Sequence, residues 1–91
     1  MSSDLNVRRR RAVYRATHRG TKEMDWLLGR YVEAHVEQLD EPALERMERL
    51  LALPDPDLHR WIIDPATLQA SDIAGDIAAI RAFHKLPAEA V

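Results

Sequence analysis

The clearest structural signal lies in Met24-Asp-Trp-Leu-Leu-Gly-Arg-Tyr-Val-Glu-Ala-His-Val-Glu-Gln-Leu39. Its apolar positions recur at spacings of three and four, the period of a helix with one buried face. We therefore predict a helix over residues 21–39. The predicted stripe consists of Met24, Leu27, Leu28, Tyr31, Val32, His35, Val36 and Leu39. Trp26 falls among the polar positions, so it either anchors a partner or packs under the preceding helix.

Two further helices are predicted in the first half of the chain. One follows Ser2 or Ser3 as N-cap and ends near residue 18, where Gly20 interrupts the pattern. Another begins at Asp40, an N-cap residue followed by Pro42 in the first turn. Their predicted buried faces are Leu5, Ala12, Val13 and Ala16 in the first, and Leu44, Met47, Leu50 and Leu51 in the second.

Two shorter helices are predicted in the remainder. Asp55 is the predicted N-cap of one, which the Asp64-Pro65 pair ends, and Ser71 is the predicted N-cap of the other, which Pro87 ends. Their predicted buried faces are Leu58, Trp61 and Ile62, and Ile73, Ile77, Ile80 and Phe83. No run alternates as a strand does. The sequence therefore predicts an all-α bundle of about five short helices in one domain over residues 1–91, with residues 1–4 and 88–91 frayed.

Charge is distributed unevenly along the chain. The formal net charge of the 91 residues is −2, yet residues 1–23 hold seven Lys/Arg against two acids, and the remainder is correspondingly acidic. The basic run Arg8–Arg11 permits two interpretations, a solvated helix or a surface that meets an anionic partner. A nucleic-acid-binding module is one such alternative, but the acidic remainder argues against it.

Signatures of enzymes and metal sites are missing from the sequence. The absence of cysteine excludes disulfides, thiolate zinc sites and cysteine nucleophiles. The three glycines form no phosphate loop, and there is no Gly-x-Ser-x-Gly turn. The four histidines are never three or four residues apart, so no single helix presents a metal pair. We expect no catalytic residue, no metal and no enzymatic activity.

The most informative segment is Tyr14-Arg-Ala-Thr-His-Arg-Gly-Thr-Lys-Glu-Met-Asp25. Its centre, Arg19-Gly20-x-x-Glu23, resembles the Arg-Gly-x-x-Glu signature of the FAD assembly factor family, which includes bacterial SdhE proteins and mitochondrial succinate dehydrogenase assembly factor 2. A later block, Asp55-Pro-Asp-Leu-x-x-Trp61, is also similar to the family pattern. The resemblance covers roughly residues 8–62. The sequence departs from the family pattern at His18, where Arg or Lys is common, and at Thr21, where Met or Leu is common.

The resemblance implies a function for the chain. It implies an assembly factor that binds the flavoprotein subunit of succinate dehydrogenase or fumarate reductase and promotes covalent attachment of FAD to that subunit. FAD itself is not expected to bind the chain stably. Arg19, Gly20 and Glu23 are the implied contact residues, and the partner-binding surface predicted around them also includes Arg15, His18 and Lys22. A generic helical adaptor is the alternative that requires no effect on flavin.

A purely structural interpretation of the motif is also open. Gly20 is the residue type that commonly follows a helix end, and Arg19 with His18 would then favour the negative end of that helix. If Gly20 is instead the N-cap of the next helix, Glu23 stands at the third position and completes a capping box.

Location and assembly state follow from broader features. No apolar run is long enough to span a membrane, so membrane insertion is not expected. The absence of a transit-like extension favours a bacterial cytoplasm over a mitochondrial matrix. We expect a monomer or a weak dimer.

Overall fold

The computed structural model describes residues 2–68 and 71–86, which fall into two compact units, one ending at Ala52 and one beginning at Leu53. The first unit contains α1 (Ser2–Thr17), α2 (Lys22–His35) and α3 (Glu41–Leu51), with a 3-10 turn at Val36–Gln38. The second contains α4 (Asp55–Ile63) and α5 (Ala74–Phe83), with 3-10 turns at Pro65–Thr67 and Ser71–Ile73. The described residues include no strand, and the predicted all-α fold of five helices is confirmed.

In the first unit, α1 packs against both α2 and α3. The predicted apolar faces supply its core, although Leu5, Val13, Tyr31, His35 and Leu39 are only partly covered. The buried apolar side chains are Ala12, Ala16, Met24, Leu27, Leu28, Val32, Val36, Leu44, Met47, Leu50 and Leu51. Asp40 caps α3 as predicted, because its Oδ1 accepts a hydrogen bond from the Ala43 N–H at 3.0 Å.

Gly29 permits the close approach of α1 and α2. It is buried, and a Cβ added to it would lie 2.9 Å from Thr17 Cγ2 and 3.5 Å from the Ala16 carbonyl oxygen. The Thr17 hydroxyl donates to the Val13 carbonyl at 2.8 Å, which restrains the side chain that would have to move. A larger residue at position 29 therefore requires the two helices to separate.

The starts of both helices in the second unit differ from prediction. Pro54, not Asp55, occupies the N-cap position of α4, so Asp55 is the first helical residue. Ser71 begins a 3-10 turn, and Ile73 is the N-cap of α5. The predicted break at Asp64 is confirmed, since the Asp64 side chain accepts from the Ala66 N–H at 3.3 Å. The predictions for Pro87 and residues 88–91 lie outside the described residues.

One predicted core residue of the second unit is exposed. Leu58, Ile62, Ile77 and Ile80 are buried and Trp61 is half-buried, but Phe83 is 39% exposed. Arg81 occupies the covered position instead, at 7% exposure, and its guanidinium donates to the Ile62 carbonyl near the end of α4. A cation at the negative end of a helix is favourable, so this arginine joins α5 to α4.

Candidate functional site

The motif predicted from sequence lies in the turn between α1 and α2. Thr21 is the N-cap of α2: its backbone is extended and its hydroxyl accepts from the Met24 N–H at 3.1 Å. Glu23 therefore stands at the second helical position, and the prediction of Gly20 as the N-cap of α2 is wrong. Residues 18–25 are termed the motif turn below.

Gly20 does not serve as a left-handed helix cap. None of the described glycines has a positive φ, so the backbone at Gly20 is one that other residues also adopt. The position therefore does not require glycine for its backbone conformation, which removes the main structural reason for a glycine after α1. Gly20 is exposed, together with Thr21, Lys22 and Glu23.

Asp25 closes the motif turn from the α2 side. Its Oδ1 accepts a hydrogen bond from the Arg19 backbone N–H at 2.5 Å. Its own N–H donates to the Thr21 carbonyl at 3.0 Å, in the first turn of α2. The carboxylate is thus held near the positive end of the helix, where an anion is favoured. Sequence reasoning missed this residue, although an aspartate in a first helical turn is itself a signal for such a contact.

The Arg19 side chain ties the motif turn to α3. Its Nη1 donates to the Leu51 carbonyl oxygen at 2.6 Å, at the C-terminus of that helix. The charge of the guanidinium complements the negative helix end. Arg19 is half-buried. Its guanidinium, which the family resemblance assigns to a partner contact, is therefore at least partly engaged within the protein. The motif turn is thus held at two points: the Arg19 backbone N–H binds Asp25, and the Arg19 guanidinium binds the Leu51 carbonyl.

His18 and Tyr14 form an exposed stack on the last turn of α1. Their ring centroids are 3.9 Å apart with an interplanar angle of 15°, and Tyr14 is 62% exposed. His18 Nδ1 contacts the Tyr14 carbonyl oxygen at 2.9 Å and the Thr17 hydroxyl at 3.0 Å. These contacts hold the imidazole against the tyrosine ring, directly beside the motif turn.

The remaining predicted site residues lie around this turn. Arg15, Lys22 and Glu23 are exposed. Trp26 lies one turn after Glu23 on α2 and is 49% exposed. About half of its side chain therefore faces solvent, and the interpretation that it packs entirely under α1 does not hold. The exposed members of the site therefore combine a small residue, an acid, cations and aromatic rings.

Half of the basic run is engaged inside the first unit. Arg8 donates to both carboxylate oxygens of Glu48, at 3.1 and 2.7 Å, and to Glu41 at 3.2 Å. The hydrogen bond with Glu48 raises the pKa of Arg8, and the same bond lowers the pKa of Glu48. Arg9 Nη2 donates to the Leu39 carbonyl at 2.9 Å. The arginine run is therefore not one continuous surface for nucleic acid.

The described residues offer neither a metal site nor a membrane-crossing helix. Across residues 2–68 and 71–86, no three His, Asp or Glu side chains are grouped as a metal site would require. Nor does any helix within these residues combine the length and hydrophobicity of a membrane-crossing segment.

Comparisons with known proteins identify a family. The model of the Sdh5 family, described as flavinator of succinate dehydrogenase, matches residues 10–84, which extends the likeness through α5. The FAD assembly factor SdhE of Acetobacter pasteurianus is 46% identical over 59 residues, covering 65% of this chain and 54% of that protein. No solved structure gives a significant match.

Eukaryotic relatives show the same likeness. The mitochondrial succinate dehydrogenase assembly factor 2 of Arabidopsis thaliana is 36% identical over 66 residues, 70% of this chain and 35% of that protein. The protein of the same name from Dictyostelium discoideum is 34% identical over 64 residues, 70% of this chain and 45% of that protein. The matches thus span about half or less of these curated relatives. Since the family model covers most of the chain, the protein belongs to the Sdh5 family of succinate dehydrogenase flavinators.

Proposed function

We propose that this protein is an assembly factor that binds the flavoprotein subunit of succinate dehydrogenase or fumarate reductase and promotes its covalent flavinylation. The observation that carries the proposal is the family match over residues 10–84. The exposed motif turn supports it, because Gly20 and Glu23 are presented on a turn that is held by hydrogen bonds rather than buried as a helix cap.

The residues of the motif turn divide into two roles in this proposal. Gly20, Glu23 and Lys22 form the contact surface, where the small glycine lets a partner backbone approach. Arg19 and Asp25 act through them by holding the turn in one conformation. A preorganised surface binds with less loss of conformational freedom, which favours affinity.

The chain supplies no catalytic group to the flavin bond in this proposal. The flavoprotein forms the bond to FAD, and the assembly factor holds the protein and the flavin in a productive arrangement. Orientation of reacting groups is worth several kcal/mol in general, roughly 7–11 in well-oriented intramolecular reactions, so a non-catalytic partner can accelerate a slow attachment. FAD does not remain bound to the assembly factor.

Cellular setting and assembly state are part of the same proposal. A bacterial cytoplasm is supported by the likeness to the Acetobacter protein, whereas the other relatives named above carry the word mitochondrial in their names. The protein acts as a monomer or a weak dimer, without membrane insertion or nucleic acid.

Flavin attachment to the apo flavoprotein tests the proposal. The apo subunit is incubated with FAD, with and without the protein, then denatured, and covalent flavin is measured by in-gel fluorescence while complex formation is measured by pull-down. Faster or more complete attachment in the presence of the protein supports the assembly-factor function. A complex with unchanged attachment supports the generic adaptor instead, and the absence of both effects contradicts the proposal.

A further inference from the structure

We propose that the outer face of α1 is a docking surface for an acidic region of the same flavoprotein, adjoining the motif turn. This face, termed the α1 ridge, consists of Arg10, Arg11, Tyr14 and His18. The inference rests on the function proposed above and adds a second contact region to it, with a stated chemistry for the partner.

The α1 ridge points away from the core of the first unit. Ala12 and Ala16 define the buried side of α1, and the helical period places Arg10, Arg11 and Tyr14 on the opposite side, while His18 directly follows the last helical residue and stacks on Tyr14. All four are exposed. Arg10 and Arg11 precede Tyr14 by one turn, and His18 follows it by one turn, so the four side chains are neighbours along one face.

The two cations of the ridge are available for a partner. Arg8 and Arg9 of the same run are engaged within the first unit, as described above. Among the described residues, Arg10 and Arg11 make no ion pair within 4.0 Å. Arg11 is among the cations that lower the pKa of Glu48, but both oxygens of that carboxylate already bind Arg8. The ridge therefore carries uncompensated positive charge, which complements an acidic surface.

The aromatic pair gives the ridge a rigid apolar centre. Tyr14 is stacked on His18, whose ring is fixed by its contacts with the Tyr14 carbonyl and the Thr17 hydroxyl. A large side chain that is already ordered loses little freedom on binding. Tyrosine and arginine are also the residue types enriched among the contacts that dominate protein interfaces.

The position of the ridge identifies which partner it meets. His18 belongs to both the ridge and the motif turn, so the two form one continuous surface on the first unit. A flavoprotein that covers Gly20 and Glu23 therefore extends onto Tyr14 without a gap. The acidic remainder of the chain disfavours nucleic acid as the occupant, because that class of protein is generally basic as a whole.

Binding kinetics with the apo flavoprotein test this inference. Wild type, Arg10→Glu, Tyr14→Ala and the control Arg49→Glu are compared, since Arg49 is an exposed arginine on α3 that does not belong to the ridge. We expect Arg10→Glu to slow association about 3- to 10-fold at low salt, with a smaller effect at high salt. We expect Tyr14→Ala to raise the dissociation rate about tenfold. Arg49→Glu should bind as wild type.

The rate of flavin attachment at a saturating concentration of assembly factor distinguishes weaker docking from a loss of the effect on flavin attachment. Arg10→Glu should then attach flavin at the wild-type rate, because Arg10 lies outside the motif turn. Circular dichroism checks the fold of each variant. If Tyr14→Ala loses helix, Arg10→Glu alone tests the inference.

If the wild type is active and both Arg10→Glu and Tyr14→Ala bind with wild-type kinetics, the ridge proposal is overturned but the proposed function is not. A wild type that neither binds nor promotes attachment overturns the proposed function and the ridge together. Loss of duplex DNA binding in Arg10→Glu, with unchanged flavoprotein binding, overturns the ridge in favour of nucleic acid.

Discussion

Replacement of Asp25 by alanine should destabilise the first unit measurably. The carboxylate accepts the Arg19 N–H at 2.5 Å, a bond to a charged group that is worth roughly 1.5–3 kcal/mol. Its charge in the first turn of α2 adds about 0.3–1 kcal/mol. We therefore expect Asp25→Ala to lower the free energy of unfolding by about 2–4 kcal/mol. At roughly 4–8 °C per kcal/mol for a domain of this size, Tm should fall by at least ~8 °C.

Thermal melts followed by circular dichroism measure this effect. Asp25→Asn keeps an acceptor and loses the charge, so it should lose about 1 kcal/mol and lie between wild type and Asp25→Ala. The matched control is Asp57→Ala, because Asp57 also lies in a first helical turn but pairs with Arg60 at an exposed site. An exposed ion pair is worth about 0–1 kcal/mol. Equal melting temperatures for Asp25→Ala and Asp57→Ala would refute the role assigned to Asp25.

Two further predictions concern packing and pH. Gly29→Leu should lower the free energy of unfolding by about 2 kcal/mol, because its Cβ would lie 2.9 Å from Thr17 Cγ2. Gly75→Ala meets nothing within 4 Å in α5 and should stabilise by up to ~1 kcal/mol; urea titrations that rank the two variants in the opposite order would contradict the packing argument. The lowered pKa of Glu48 means that the unfolded chain binds its proton more readily, so the stabilisation from the Arg8 pair is present above about pH 4.5 and is lost as pH falls below it. Melting temperatures between pH 3 and 6, roughly the range around an ordinary glutamate pKa, should therefore change less in Glu48→Gln than in wild type. Identical pH profiles would count against the pair.

Helix periodicity predicted the first unit well because its signals are local. The stripe from Met24 to Val36 and the cap at Asp40 each depend on residues within a few positions of one another. The family likeness carried by the Arg19-Gly20-x-x-Glu23 segment is confirmed at the level of family membership. The role of the six predicted partner-binding residues stays a prediction.

The errors arose where neighbouring residues competed or where tertiary contacts prevailed. Gly20 and Thr21 are both acceptable N-caps, and the Thr21 hydroxyl, which can accept the Met24 N–H, places the helix start one residue later. The bond of Arg19 to the Leu51 carbonyl joins residues 32 positions apart, so no local pattern reveals it, and the predicted contact of Arg19 with a partner stays a prediction.

Phe83 and Arg81 illustrate the limit of apolar patterning. In a helix of 3.6 residues per turn, positions 81 and 83 flank the face that Ile77 and Ile80 define, about 70° and 90° from its centre, so periodicity alone does not decide which of the two is covered. Arginine can occupy the covered position because the Ile62 carbonyl accepts its guanidinium. Hydrophobicity assigned the more apolar Phe83 to the core, yet the structure leaves it 39% exposed and covers Arg81.

The most direct test of the assembly-factor account is the rate of covalent flavin attachment with Glu23→Ala. Glu33→Ala is the matched control, because Glu33 is an exposed acid on the same helix. The apo flavoprotein is mixed with FAD and a saturating amount of each variant, and in-gel flavin fluorescence is followed over time. The account predicts acceleration by wild type and Glu33→Ala and little or none by Glu23→Ala, with unchanged helical circular dichroism. Equal acceleration by all three proteins, or none by wild type, would contradict it.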